Sequence, residues 1–204
     1  MPLSGIQSFQ NKTPLDARFH ERDIKNLKSV VKGWFMNVVL TGFMGTGKSA
    51  VSRLLSKKLD WELIDADVEI EKAAGMKISD IFATKGEPYF RSLETEVINK
   101  LSQKNEVVIS CGGGVVLKPE NMDALEKNGF VVCLTATPET IYERTKHTKD
   151  RPLLNVPDPI AKIKDLLEKR ATFYKRCHLT IDTTHLSIEE VVEEILNNER
   201  FKSK

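Results

Sequence analysis

Gly42-Phe43-Met44-Gly45-Thr46-Gly47-Lys48-Ser49 follows an apolar run, Val38-Val39-Leu40, and opens a helical pattern carried by Ala50, Leu54, Leu55 and Leu59. Two glycines five apart, followed by Lys and a hydroxyl residue, form the Walker A phosphate loop. Glycines let the backbone turn so tightly that successive N–H groups converge on phosphate oxygens. The helix that follows points its positive end at the same place. Lys48 has the reach and charge for β- and γ-phosphates, and Ser49 offers a hydroxyl to a Mg²⁺ ion bridging them. A strand–loop–helix start of this kind predicts an α/β protein that binds a nucleoside triphosphate.

Outward from the loop, short apolar segments at residues 62–64, 107–109, 131–134 and 179–181 alternate with helical stretches. With the run beginning at Asn37 they make five strands. Short buried strands separated by helices predict a parallel sheet covered on both faces. The last helix, predicted over residues 188–197, gathers Ile188, Val191, Val192, Ile195 and Leu196 on one face. Glu189, Glu190, Glu193 and Glu194 lie on the other and read as a solvated face.

Composition bounds the rest. The 204 residues suit one domain, and 40% hydrophobic with 29% charged residues is ordinary for a globular chain. Thirty-one basic against 29 acidic residues leave a net charge of +2, so no global field draws the chain to nucleic acid or membrane. Cys111, Cys133 and Cys177 are odd in number and widely spaced, fitting a reducing cytoplasm better than a disulfide framework or zinc site. The longest apolar run, residues 129–136, is far below the roughly 18 residues of a membrane span. Residues 1–35 are polar, carry Pro2, Gly5 and Pro14, and read as a poorly ordered N-terminal extension. They lack the apolar core of a secretory signal, and Asp16, Glu21 and Asp23 speak against a transit peptide. Met36 directly precedes the first strand, so residues 36–204 are expected to carry the working domain.

Three further groups complete the candidate site. Asp65 and Asp67 lie just beyond the second strand, where parallel sheets bind ligands. One can serve Mg²⁺ through water and the other a substrate hydroxyl or its proton. Alternatively, Asp67 caps the helix that follows. Cys111-Gly112-Gly113-Gly114, after the third strand, permits close backbone approach, or else forms a plain turn. Cys111 has no histidine partner in its motif and reads as structural. Residues 144–157, rich in Lys, Asp, Pro and Asn and containing Arg144 and Arg151, read as a mobile lid over phosphates.

Taken together, the phosphate loop, Asp65-Ala66-Asp67, Phe90-Arg91, Gly112-Gly113-Gly114 and Arg151-Pro152-Leu153-Leu154 resemble the shikimate kinase family in order and spacing. The resemblance runs from about residue 36 to residue 196. It implies a three-layer P-loop kinase fold, like that of nucleoside monophosphate kinases, with a five-stranded parallel sheet, a substrate-binding segment and a lid. It also implies transfer of the ATP γ-phosphoryl group to the 3-hydroxyl of shikimate, on the route to chorismate and the aromatic amino acids.

By the same resemblance, Gly45, Thr46, Gly47, Lys48, Ser49 and Ala50 bind the nucleotide, with Arg144 near the adenine and Arg151 over the phosphates. Lys48, Asp67 and Arg151 are implied to be catalytic, with Asp67 as general base. Shikimate falls to Asp67, Arg91, Arg170 and the glycines Gly112, Gly113 and Gly114, with Glu94 orienting Arg91. Mg²⁺ falls to Ser49 and, through water, Asp65. The expected partners are ATP and shikimate alone, without nucleic acid or membrane, for a cytoplasmic monomer. Two features depart from the family pattern: the first 35 residues, and Asp182-Thr183-Thr184-His185, which lacks an arginine some relatives place near the adenine. Two other readings stay open here, a kinase for another acceptor such as gluconate or a nucleotide, and an ATP-binding assembly module that works through residues 1–35.

Overall fold

The computed structural model describes residues 36–147 and 152–202. Its strands are β1 (Asn37–Gly42), β2 (Glu62–Asp65), β3 (Val107–Ser110), β4 (Gly129–Thr135) and β5 (Leu179–Asp182). They form one parallel sheet in the order β2-β3-β1-β4-β5. Each expected strand is present, extended by one to three residues beyond its apolar run. The ladder needs only backbone groups, so it continues into Asn37, Gly42, Asp65, Ser110, Gly129 and Asp182.

Pleating sorts β1 between two cores, as period-2 alternation demands. Val39 joins one apolar cluster, while Val38 and Leu40 join the other. On the first face lie α2 (Ala66–Ala74), α3 (Ile78–Thr84), α4 (Gly86–Leu101), α5 (Pro119–Asn128), α6 (Pro138–Thr145) and α7 (Pro159–Tyr174). On the second lie α1 (Lys48–Leu59), α8 (Ile188–Asn197) and the short α9 (Glu199–Lys202). The α8 helix occupies the predicted residues and opens with a capping box between Ser187 and Glu190. Its Val191, Val192, Ile195 and Leu196 are buried beneath the sheet.

Strand register fixes the site. Leu40 of β1 pairs with Ser110 of β3, which pairs with Asp65 of β2. The phosphate loop, the glycine cluster and the acid pair therefore leave one edge of the sheet side by side. Among the described residues no helix is long and apolar enough to cross a membrane.

Candidate active site

The phosphate loop is shaped by its glycines and held by side chains from inside. Gly42 (φ +130), Gly45 (φ +78) and Gly47 (φ +97) lie where L-residues are strained. At Gly42 a Cβ would also sit 2.2 Å from the Leu134 carbonyl oxygen on β4. Thr46 is buried and donates its hydroxyl to Phe43 O at 2.8 Å, pinning the turn. Lys48 Nζ donates to the carbonyls of Gly42 and Phe43, both at 2.8 Å, so its charge stands at the loop mouth. Gly47 at the start of α1 supplies no side-chain cap, and the positive end of the helix faces the loop, where an anion is favoured. Ser49 is exposed and Ala50 half-buried in the first turn. These features fit a triphosphate.

Asp65 is the N-cap of α2: its Oδ1 accepts from Asp67 N at 3.0 Å and Val68 N at 3.4 Å. The capping alternative for Asp67 is thereby corrected. The helix begins one residue earlier, at Ala66, so the cap falls to Asp65 and Asp67 stands in the first turn. Its carboxylate faces the glycine cluster, where a Cβ on Gly112 would lie 2.5 Å from Asp67 Oδ1. A Cβ on Gly114 would lie 2.6 Å from Arg91 Nη1. The cluster is thus packed by the two side chains expected to meet substrate, and the plain-turn reading does not account for it.

Arg91 is held on α4 by two carboxylates. Nη1 donates to Glu94 Oε2 at 2.8 Å, and Nε and Nη2 both donate to Glu87 Oε1 at 3.1 Å. The side chain of Glu94 is 3% exposed, that of Arg91 16% and that of Glu87 60%. Burial works against the Arg91 charge, but Glu94 and then Glu87 outweigh it and hold the guanidinium more firmly protonated than usual. Burial likewise pushes the Glu94 carboxyl up, and Arg91 opposes this. Glu94 therefore orients Arg91, as expected. Glu87 went unread in the sequence, although its i,i+4 spacing from Arg91 signals the contact.

Arg170 lies over the Phe43 ring, its Cζ 5.8 Å from the centroid, so α7 meets the phosphate loop through this residue. One turn on, Tyr174 donates its hydroxyl to Gly113 O at 2.8 Å. Burial raises the phenol to about 12, opposed by neighbouring Arg170, so Tyr174 remains a donor. On the nucleotide side, Arg144 donates to Thr183 Oγ1 at 2.9 Å, Thr183 O at 2.7 Å and Gly45 O at 3.4 Å. The buried Thr183 hydroxyl reaches the carbonyls of Thr46 at 3.1 Å and Thr135 at 3.0 Å. Sequence patterning gives no sign of Thr183 or Tyr174, because each acts across a fold-made contact. Arg151 lies outside the described residues; nearby, Pro152–Leu154 forms a 3₁₀ turn.

The three cysteines are free. Burial, and then the Asp67 and Glu94 charges, raise the Cys111 thiol far above its usual range, the setting of a structural residue. Cys133 and Cys177 are far apart in sequence, and neighbouring Cys133 and then the Thr180 hydroxyl, at 3.1 Å, lower the Cys177 thiol. Among the described residues no three His, Cys, Asp or Glu side chains cluster as a metal cage. A Mg²⁺ ion here would rely on phosphate oxygens and water with the Ser49 hydroxyl.

Known proteins are similar to this chain along most of its length. The family model described as Shikimate kinase matches residues 44–199. The shikimate kinase of Thermodesulfovibrio yellowstonii is 49% identical over 160 residues, covering 78% of this chain and 92% of its own. That of Caldanaerobacter subterraneus is 48% identical over 160 residues, with 78% and 94% covered. Among solved structures, the Acinetobacter baumannii shikimate kinase in complex with shikimate superposes with a TM-score of 0.76 at 36% identity, over 85% of this chain and 94% of that one. The Aquifex aeolicus enzyme gives 0.66 at 39% identity, over 79% and 94%. With a phosphate loop, a boxed arginine and a glycine cluster on one sheet edge, and with relatives this close along most of its length, the chain belongs to the shikimate kinase family.

Proposed function

We propose that the chain transfers the γ-phosphoryl group of ATP to the 3-hydroxyl of shikimate, giving shikimate 3-phosphate and ADP. The observation that carries this reading is the glycine cluster, where Gly112 and Gly114 give up side-chain space to Asp67 and Arg91 beside the phosphate loop. A small carboxylated polyol needs a cationic grip at one end and a hydroxyl partner at the other, and Arg91 and Asp67 offer both.

Residues 45–50 and Lys48 hold the triphosphate, with Arg144 on the adenine side and Arg151 closing over the phosphates. Ser49, and Asp65 through water, would hold Mg²⁺, which would supply charge neutralisation to the triphosphate. Arg91 and Arg170 take the substrate carboxylate. The backbone of the glycine cluster, Gly113 above all, meets a ring hydroxyl. Asp67 accepts the 3-hydroxyl proton as the oxygen attacks the γ-phosphorus, and the bond to the β-phosphate oxygen breaks to release ADP. Lys48 neutralises the transferring group.

ADP release measured with Mg-ATP and shikimate, gluconate or nucleoside monophosphates tests the acceptor, with Lys48→Ala as a blank. Turnover with shikimate alone is expected, and turnover only with another acceptor overturns the assignment. Asp67→Asn should lose about 10²–10⁴-fold in kcat while Mg-ATP still binds; full turnover in that variant removes Asp67 as base. Chelation by EDTA should stop the reaction and added Mg²⁺ restore it. The reading extends to a cytoplasmic monomer. Light scattering on the eluting protein checks this. A variant beginning at Met36 should keep turnover, which separates the kinase from an assembly module working through residues 1–35.

A further inference from the structure

A guanidinium grips a carboxylate in its own plane, so the free edges of Arg91 decide how a substrate can reach it. On the Nη1–Nη2 side, a Cβ on Gly114 would lie 2.6 Å from Nη1, 2.8 Å from Nη2 and 3.1 Å from Cζ. Near-equal distances to both nitrogens and a longer one to Cζ put that point in front of this edge. The Gly114 Cα stands one bond behind it, roughly 1.5 Å away, so a ligand oxygen has no room there. Nη1 is also committed to the buried Glu94 at 2.8 Å. The remaining edge, Nε with Nη2, is held by one oxygen of Glu87 at 3.1 Å to each nitrogen.

We infer that Glu87 is an internal stand-in for the substrate carboxylate: it occupies the one edge of Arg91 through which an acid can be gripped, and the substrate must displace it. This rests on the reading above, in which Arg91 binds the shikimate carboxylate. Glu87 is suited to yielding. Its side chain is 60% exposed and in the first turn of α4, so it can swing to water without leaving a buried charge. Glu94, 3% exposed, cannot, and keeps the guanidinium oriented while the exchange takes place. Only an acid competes for this edge, so Glu87 weakens the binding of acids and leaves a neutral analogue, which does not use the edge, unaffected. Glu87 is thus a specificity-determining and positioning residue, not a catalytic one.

Glu87→Gln tests this, with Glu87→Ala as a second variant. Steady-state kinetics and calorimetric titration are run with shikimate and with its carboxamide. Loss of an exposed i,i+4 ion pair corresponds to about a two- to fivefold change. The KM and Kd for shikimate should fall by that factor in both variants, with the KM for ATP and the affinity for the carboxamide unmoved. An unchanged or raised shikimate KM overturns the stand-in role and makes Glu87 a support for Arg91. An equal gain for acid and amide overturns it too, as general loosening of the pocket. Arg91→Lys separates the parent reading: if it leaves the preference for acid over amide intact, Arg91 is not the carboxylate grip, and that reading fails independently of Glu87.

Discussion

Gly112 and Gly114 act through what they lack. Each leaves space that a neighbouring side chain fills, Asp67 Oδ1 in one case and the Arg91 guanidinium in the other. The Gly114→Ala Cβ would meet Arg91 at 2.6 Å, so the arginine must turn and loosen its contact with Glu94. The shikimate KM should rise by about tenfold or more, the size of a lost charge-assisted hydrogen bond, with the ATP KM hardly changed. Gly112→Ala would push Asp67 instead and should depress kcat first. Separate kinetics for the two variants check both. Gly42→Ala belongs to another class: a positive φ and a 2.2 Å approach to the Leu134 carbonyl make it a stability lesion of about 1–3 kcal/mol, read in thermal melts. Residue types and spacing singled out Lys48, Asp67 and the glycines, because each sits in a short motif, and the family resemblance singled out Arg91. They did not disclose which glycine faces which side chain, since residues 67 and 112 meet only through adjacent strands.

At the level of elements, α7 and α8 do different work. On the site face, the C-terminal turn of α7 holds the glycine cluster through Tyr174 and Gly113 O at 2.8 Å. Tyr174→Phe leaves that carbonyl short of a donor and should cost about 1–3 kcal/mol, with a rise in shikimate KM. On the opposite face, Ser187→Ala removes the α8 capping box and should cost about 1 kcal/mol, or roughly 2–4 °C of melting temperature, with both KM values unmoved. Comparing melts with kinetics for the pair tests the division. The α8 helix was legible because its apolar face and flanking acids agree, although Ile188, placed on that face, is exposed. The Thr183 link from the β5 loop to Thr46 and Arg144 was not, because Thr183 and Thr46 are 137 residues apart in sequence.

Across the molecule, acidity acts through a histidine remote from the chemistry. His178 Nδ1 accepts from Val131 N at 2.9 Å, which requires the neutral ring. Burial lowers its pKa, the Glu126 carboxylate opposes this, and Arg200 reinforces it. Because the folded value lies below the unfolded value of about 6.5, the stabilisation is full above that pH and fades as pH falls through it towards the folded value. Melting temperature should therefore drop more steeply between about pH 7.5 and about pH 5.5 in the parent than in His178→Asn, which keeps an acceptor but cannot titrate. Equal slopes would remove His178 as the cause. A parallel sheet covered on both faces follows from strand patterning, whereas the strand order does not, and this tie across β4 depends on a ring nitrogen whose partner no pattern announces.

The empty side-chain positions at 112 and 114 also have a genetic consequence. Every one-base change in a glycine codon that alters the residue brings in a Cβ, and both positions already border a functional group closer than a Cβ tolerates. At these two codons the genetic code offers no mild missense step, so a lineage that retains this activity should show only synonymous drift there. The carboxylate and arginine these glycines accommodate each have milder chemical substitutes.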